Sequence, residues 1–437
     1  MTRVFRNPQN TEISELVVRP SLPKAELRDK VGHILDKVRY GGDQGLLELT
    51  NQFDGITPVK LRYVSSDFAS AFNKVDESLT NAMLTAHSNI SRFHARQLEE
   101  QQPPMETSPG ICCWHRTTPI ERVGIYIPGG QAPLFSTLLM LATPARLARC
   151  GLIAACTPCD KDGNVPLPIL AAAHIAGIDE LFPFGGAQAI AAFIFGTQTV
   201  PKVDKVFGPG NQYVTQAKML ALEHGVAIDL PAGPSEVAVI SDGSCPPAFV
   251  AADLIAQAEH GADSHVLFLT TDEIQLQQVQ DELSRQLEQL PRAEAARKSL
   301  EHSALVLVSS LDEAMRISNL YAPEHLIIAC TDNDDLAAKV INAGSVFLGN
   351  WTPESLGDYA SGTNHTLPTS GWARTTAGVS LDSFMKKITF QRATKEGLSG
   401  IAQTVCTMAE AENLAGHAKT VSIRLFPGRQ EKQALGN

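Results

Sequence analysis

Between Pro20 and Pro103 the apolar positions recur at helical spacing. Val31, Ile34, Leu35 and Val38 form one such stripe, and Leu79, Met83, Ile90 and Phe93 another, so this stretch is predicted to be mainly helical. Pro103-Pro104 ends it. From Arg122 the pattern changes to short apolar runs at Val123 to Ile127, Leu152 to Ala155, Glu180 to Pro183 and Lys205 to Phe207, separated by helix-like segments. Such alternation predicts βαβ units and a parallel sheet. After Gly233-Pro234 it restarts, with Val237 to Ile240, Val266 to Leu269, Leu305 to Val308, Leu326 to Ala329 and Val346 to Leu348, which predicts a second α/β region. From Leu381 the chain is predicted to be helical again, interrupted near Gly397 and Gly400, with a polar tail after Pro427 expected to be disordered.

Composition narrows the class. A chain of 437 residues with 43% hydrophobic content can bury ordinary cores in two to four domains. The formal net charge of −11, without any Lys/Arg block, argues against a nucleic-acid or anionic-membrane partner. Neither a signal-peptide core at Met1 to Asn7 nor a run of ~18 apolar residues is present, so a cytoplasmic location is expected. Eight cysteines are too sparse for a disulfide scaffold. Cys156-Thr157-Pro158-Cys159 has the spacing of a redox dithiol or half a zinc knuckle, but no second such pair exists. These are expected to be incidental reduced thiols after a buried strand.

Chemistry concentrates in a few polar segments. Tyr321-Ala322-Pro323-Glu324-His325-Leu326 is followed by Gly357-Asp358-Tyr359-Ala360-Ser361-Gly362-Thr363-Asn364-His365, segments whose Pro, Gly, Ser and Asn favour loops that present side chains to a ligand. Asp253 to Gly261 has helical composition and places Gln257 and His260 three residues apart on one face, where both could bind one ion. Glu412-Asn413-Leu414-Ala415-Gly416-His417 adds another carboxylate and imidazole. Oxygen and nitrogen donors of this kind suit Zn²⁺, Mn²⁺ or Co²⁺. Tyr126-Ile127-Pro128-Gly129-Gly130 and Phe207-Gly208-Pro209-Gly210-Asn211 follow predicted strands and could bring backbone N–H groups to phosphates, although neither is the GxGxxG fingerprint. The other histidines, His33, His87, His94, His115, His174, His224, His265 and His302, lie in no comparable constellation and are expected to be structural or solvated.

Together these motifs resemble the histidinol dehydrogenase family, which catalyses the last step of histidine biosynthesis. The resemblance includes Gly185-Gly186-Ala187-Gln188-Ala189-Ile190-Ala191 and Asp229-Leu230-Pro231-Ala232-Gly233-Pro234-Ser235-Glu236, in the family's order, and runs from about Pro20 to His417. It implies an NAD-dependent, zinc-containing enzyme that oxidises L-histidinol via L-histidinal to L-histidine. The implied catalytic pair is Glu324 and His325. Gln257, His260, Asp358 and His417 match the zinc ligands, one ion per subunit, and these four with Ser235, His325 and Glu412 match substrate contacts, with His365 close by. Tyr126, Gln188 and Asn211 match the NAD contacts.

The resemblance also implies two incomplete, doubly wound Rossmann-like domains in an aldehyde-dehydrogenase-like architecture. Residues 1–20 would form an N-terminal arm, 21–125 and 237–379 a discontinuous main domain, 126–236 the second domain, and 380–437 a C-terminal segment crossing a homodimer with shared active sites. Two rival readings stand beside it. A thiol-dependent aldehyde dehydrogenase needs a nucleophilic cysteine, and Cys330 is the one nearest Glu324-His325. A regulatory protein that binds zinc and NAD without turnover would lack an acid, base or ligand position, yet each matched position is occupied.

Overall fold

The computed structural model of the chain describes residues 2–19, 24–98, 102–129, 133–291 and 293–426. Gly130 and the tail after Pro427 therefore lie outside the described residues. In chain order the strands are β1 (Arg3–Arg6), β2 (Met105–Ser108), β3 (Ile111–Pro119), β4 (Arg122–Tyr126), β5 (Leu152–Cys156), β6 (Glu180–Phe182), β7 (Lys205–Phe207), β8 (Ala227–Ile228), β9 (Glu236–Ser241), β10 (His265–Thr270), β11 (Ala304–Leu307), β12 (His325–Ala329), β13 (Ser345–Leu348) and β14 (Met385–Ala393). The chain divides into one unit of Met1–Gln97 with Ile120–Phe384 and a second of Leu98–Pro119 with Met385–Asn437.

Two parallel sheets build the first unit, as the alternating pattern predicts. One is ordered β6-β5-β4-β7-β8 and the other β1-β11-β10-β9-β12-β13. Counted from β4 in the first and β9 in the second, both follow the doubly wound order 3-2-1-4-5, with β1 added at an edge. Strands covered by helices on both faces must be apolar throughout, and β9, β10 and β12 are buried at every residue. That is why each reads as a continuous apolar run.

The helical expectation for the N-terminal third is met by Lys24–Asp54, Ser65–Phe72 and Glu77–Ala95. Gly42, with φ of 56°, kinks the first of them. The apolar stripe Leu27, Val31, Ile34, Leu35 and Val38 shares a core with Phe182, Ile190, Val206 and Val214 of the five-stranded sheet and its helices. In packing, therefore, these helices group with the sheet of residues 126–236, whereas the domain scheme above groups residues 21–125 with 237–379. The expected border at 125/126 falls within β4, and the N-terminal arm supplies β1 to the six-stranded sheet, where Arg3 to Arg6 pair with Ala304 to Leu307.

In the second unit β14, β3 and β2 form an antiparallel sheet, accompanied by the helices Lys395–Ala411 and Ala415–Leu425. Here the structure corrects the sequence reading, since Met385–Ala393 is a strand and not part of a helical stretch. It pairs along its whole length with β3, from Met385 opposite Pro119 to Ala393 opposite Ile111. Trp114 stacks on Phe390 at 5.5 Å, and Ile388, Thr389 and Phe390 are good strand formers. A partner so distant in sequence leaves no local period to detect. No helix among the described residues is long and apolar enough to cross a membrane.

Candidate active site

A cavity of about 270 Å³ opens in the first unit between the C-terminal edge of the five-stranded sheet and the N-terminal edge of the six-stranded sheet. Pro128 and Asn211, just past β4 and β7, line one side. Ser235, Glu324 and His325, at the starts of β9 and β12, line the other. Gln257 and His260 enter from the end of the helix Pro247–Ala258, and Asp358 from the helix Glu354–Tyr359, with His365 beyond it.

The first peptide of β9 organises this edge. Strands β9 and β12 are parallel neighbours with His325 opposite Val237, so Glu236 lies one residue before the paired register on this side and its N–H finds its partner beyond the ladder. The Glu236 N–H donates to Glu324 Oε2 at 2.9 Å. Its carbonyl accepts from Gln257 Nε2 and from His325 Nδ1, each at 3.1 Å. With Nδ1 anchored, Nε2 is the imidazole nitrogen left for proton transfer; it lies 3.6 Å from Asp358 Oδ1 and has no hydrogen-bond partner among the described residues.

Burial sets the proton affinities. It pushes the Glu324 carboxyl up to about 8, against the opposing pull of His325 and the Glu236 N–H. Burial alone would lower His325, but Glu354, Glu324 and Asp358 outweigh it and raise the imidazole well above its ordinary value. Asp358 is the reverse case: burial would raise it, and the His325, His365 and His260 rings hold it below the usual carboxylate range. His260 keeps an exposed edge, yet the atoms around it remove enough water to lower its pKa against Asp358. His365, lowered by burial, has Nδ1 2.9 Å from the Asp358 carbonyl and so braces that residue.

Several donors are well suited to a cation. Gln257 Oε1 is buried without a hydrogen-bond partner among the described residues, as is Glu354 Oε2. Ligand-capable atoms of His325, Glu354 and Asp358 lie within 4.8 Å of one another. An amide oxygen, an imidazole nitrogen and a carboxylate oxygen from Gln257, His260 and Asp358 are a fitting donor set for Zn²⁺. His417 and Glu412 belong to the second unit, where both are exposed.

A larger cleft of about 740 Å³ adjoins this site, lined by Gln188, Asn211, Asp54 and Phe53 among others. Asn211 lines both cavities. Its Oδ1 accepts from Tyr213 and Val214 N–H and caps the helix Gln212–Ala221, so its amide NH₂ is the group left to serve a ligand. Tyr126 stands behind the cleft, buried, with its hydroxyl accepting from Gly186 N–H at 3.1 Å. Burial drives its pKa up to about 12.

Glu236 and Glu354 were not singled out from sequence. Glu354 follows Pro353 at the start of a short helix, which reads as an ordinary first-turn acid. Its separation of four residues from Asp358 was the usable signal, because it sets both carboxyls on one helix face. The thiol alternative finds no support: Cys330 is buried, burial pushes its thiol up to about 12, and Sγ sits 3.6 Å from the Ile240 carbonyl. Cys156 and Cys159 are unbridged, and burial raises both.

Comparison with known proteins identifies the family of the chain. The histidinol dehydrogenase family profile matches residues 17–425. The chain is 50% identical to the histidinol dehydrogenase of Bacteroides thetaiotaomicron over 425 residues, 97% of this chain and 99% of that one. The crystal structure of histidinol dehydrogenase from Elizabethkingia anophelis superposes with a TM-score of 0.92 at 49% identity, covering 97% of this chain and 98% of that chain. An acetylating aldehyde dehydrogenase from Geobacillus thermoglucosidasius matches with a TM-score of 0.48 at 14% identity, covering 85% of this chain and 98% of that one. By profile, identity and structure alike, the chain belongs to the histidinol dehydrogenase family.

Proposed function

We propose that this protein oxidises L-histidinol through L-histidinal to L-histidine, with NAD⁺ as hydride acceptor in both steps. The observation that carries this reading is one cavity, lined by Glu324, His325, Gln257, His260 and Asp358, that shares Asn211 with the cleft containing Gln188. In the first step His325 Nε2 takes the hydroxyl proton while the carbon gives its hydride to an oxidised nicotinamide. In the second, Glu324 takes a proton from water as the water oxygen adds to the aldehyde carbon, and His325 returns its proton to the carbonyl oxygen. The resulting gem-diol gives His325 a proton and loses a second hydride, leaving the acid. Tyr126, Gln188 and Asn211 serve the dinucleotide, Tyr126 through the Gly186 turn that it braces.

Gln257, His260 and Asp358 would hold a zinc ion, one per subunit, and the orphaned Gln257 Oε1 supports that assignment. When bound, the ion supplies a positive charge that orients the substrate's imidazole and amino nitrogens. Ser235 and His365 border the same space. The remaining ligand, His417, and the substrate contact Glu412 are proposed to come from a second copy of the chain, which their exposure permits. A cytoplasmic location is proposed for the enzyme.

Five measurements test this reading. Histidinol, NAD⁺ and protein should give two NADH per histidine formed; chelation should stop turnover and Zn²⁺ restore it, whereas full activity in verified metal-free protein would refute the metal role. Since Glu324 must be ionised to accept a proton, and burial pushes it up to about 8, kcat/KM for histidinal oxidation should rise with pH and level off above about 8. Glu324→Gln should slow that step by about 10² or more and spare histidinol oxidation; equal loss in both steps would reassign the carboxylate to binding. Finally, His417→Asn and His260→Asn homodimers should both be inactive, while their heterodimer should recover one intact site. A heterodimer as inactive as its parents would place His417 in its own chain's site.

A further inference from the structure

The turn that carries Asn211 begins at Gly208, where φ is 124° and a side-chain carbon would lie 2.1 Å from the Tyr126 carbonyl oxygen. Only glycine passes this point. A buried ion pair holds the same peptide from both sides. Lys218 Nζ lies 2.6 Å from Asp229 Oδ1, with side-chain exposures of 2% and 0%. Lys218 Nζ also donates to the Gly208 carbonyl at 2.7 Å, and the Gly208 N–H donates to Asp229 Oδ2 at 2.7 Å. Asp229 Oδ1 accepts in addition from Leu230 N–H at 2.7 Å.

Stability alone does not account for such a pair. Two charges withdrawn from water are costly, and apolar side chains of equal volume would fill the space with less penalty. What apolar residues could not do is satisfy the donor and the acceptor of one loop residue together. Lys218 sits on the helix that Asn211 caps, and Thr215 on that helix donates to the Gly210 carbonyl at 3.4 Å and to the Ala232 carbonyl. Strand β7, the turn and the helix start are thereby tied into one rigid element. Asn211, at its tip, faces both cavities.

We propose that Lys218 and Asp229 are positioning residues for the dinucleotide: they hold the Gly208–Asn211 turn so that the Asn211 amide meets the ligand where the two cavities join. This rests on the reading of Asn211 as a nucleotide contact. NADH binding to full-length wild type, Lys218→Met and Asp229→Asn, followed by fluorescence titration, tests it alongside KM for histidinol at saturating NAD⁺. Both variants should bind NADH more weakly, by about tenfold in Lys218→Met, with the histidinol KM changed less than about twofold. Either folded variant binding NADH as wild type does would overturn the proposal, as would a parallel loss of histidinol and NADH affinity. Failure of both variants to fold would make the pair a stability element and overturn it too. Failure of the wild type to bind NADH would instead remove the underlying functional reading.

Discussion

The structure turns on the peptide of Glu236. At the head of β9 its N–H lies beyond the strand ladder and bonds a side-chain carboxyl, and a buried polar group left unpaired is expensive. Glu324 takes that N–H while Gln257 and His325 bond the carbonyl, so the backbone of one residue fixes a carboxyl and an imidazole at the head of β12 and an amide from the helix Pro247–Ala258. The Glu236 side chain is held just as firmly, by two hydrogen bonds from Arg19 and one from Ser370 N–H. Arg19 in turn donates to the Tyr321 carbonyl and lies 3.7 Å over the Tyr321 ring, four residues before the His325 imidazole. Fixing β9 therefore fixes the loop that leads into β12.

The two sheets present opposite edges to the site. The five-stranded sheet uses the carboxyl ends of β4 and β7, the switch point where doubly wound sheets usually bind ligands. From the six-stranded sheet come the amino ends of β9 and β12. The side lined by Pro128 and Asn211 is thus built from turns and a helix start, while the side lined by Glu324 and His325 is built from buried strand ends whose surroundings shift proton affinity. The high value of Glu324 and the raised His325 both follow from putting charge-bearing groups where a hydrophobic sheet begins.

Much of this was legible in the chain. Continuous apolar runs announced parallel strands, and the Pro-, Gly- and Asn-rich segments announced the turns before Glu324 and Asn211, whereas Asp358, expected on a loop, lies in the short helix Glu354–Tyr359. Three things were not legible. β14 pairs with β3 across a separation that no local period reports. The Lys24–Asp54 helix finds its partner surface on the five-stranded sheet's helices, a choice made by tertiary complementarity rather than by its own pattern. The role of Glu236 lies largely in its backbone, which carries no residue-specific signature.

Amide hydrogen exchange at Glu236 tests the central claim most directly, since that N–H has a side-chain carboxyl as its partner instead of a strand carbonyl. In Glu324→Ala the Glu236 amide should exchange about tenfold faster or more, while Val237 to Ser241 stay protected within β9. Unchanged protection at Glu236 in that variant would contradict the account, because the Glu236 N–H would then not depend on the Glu324 carboxyl, nor the carboxyl on it.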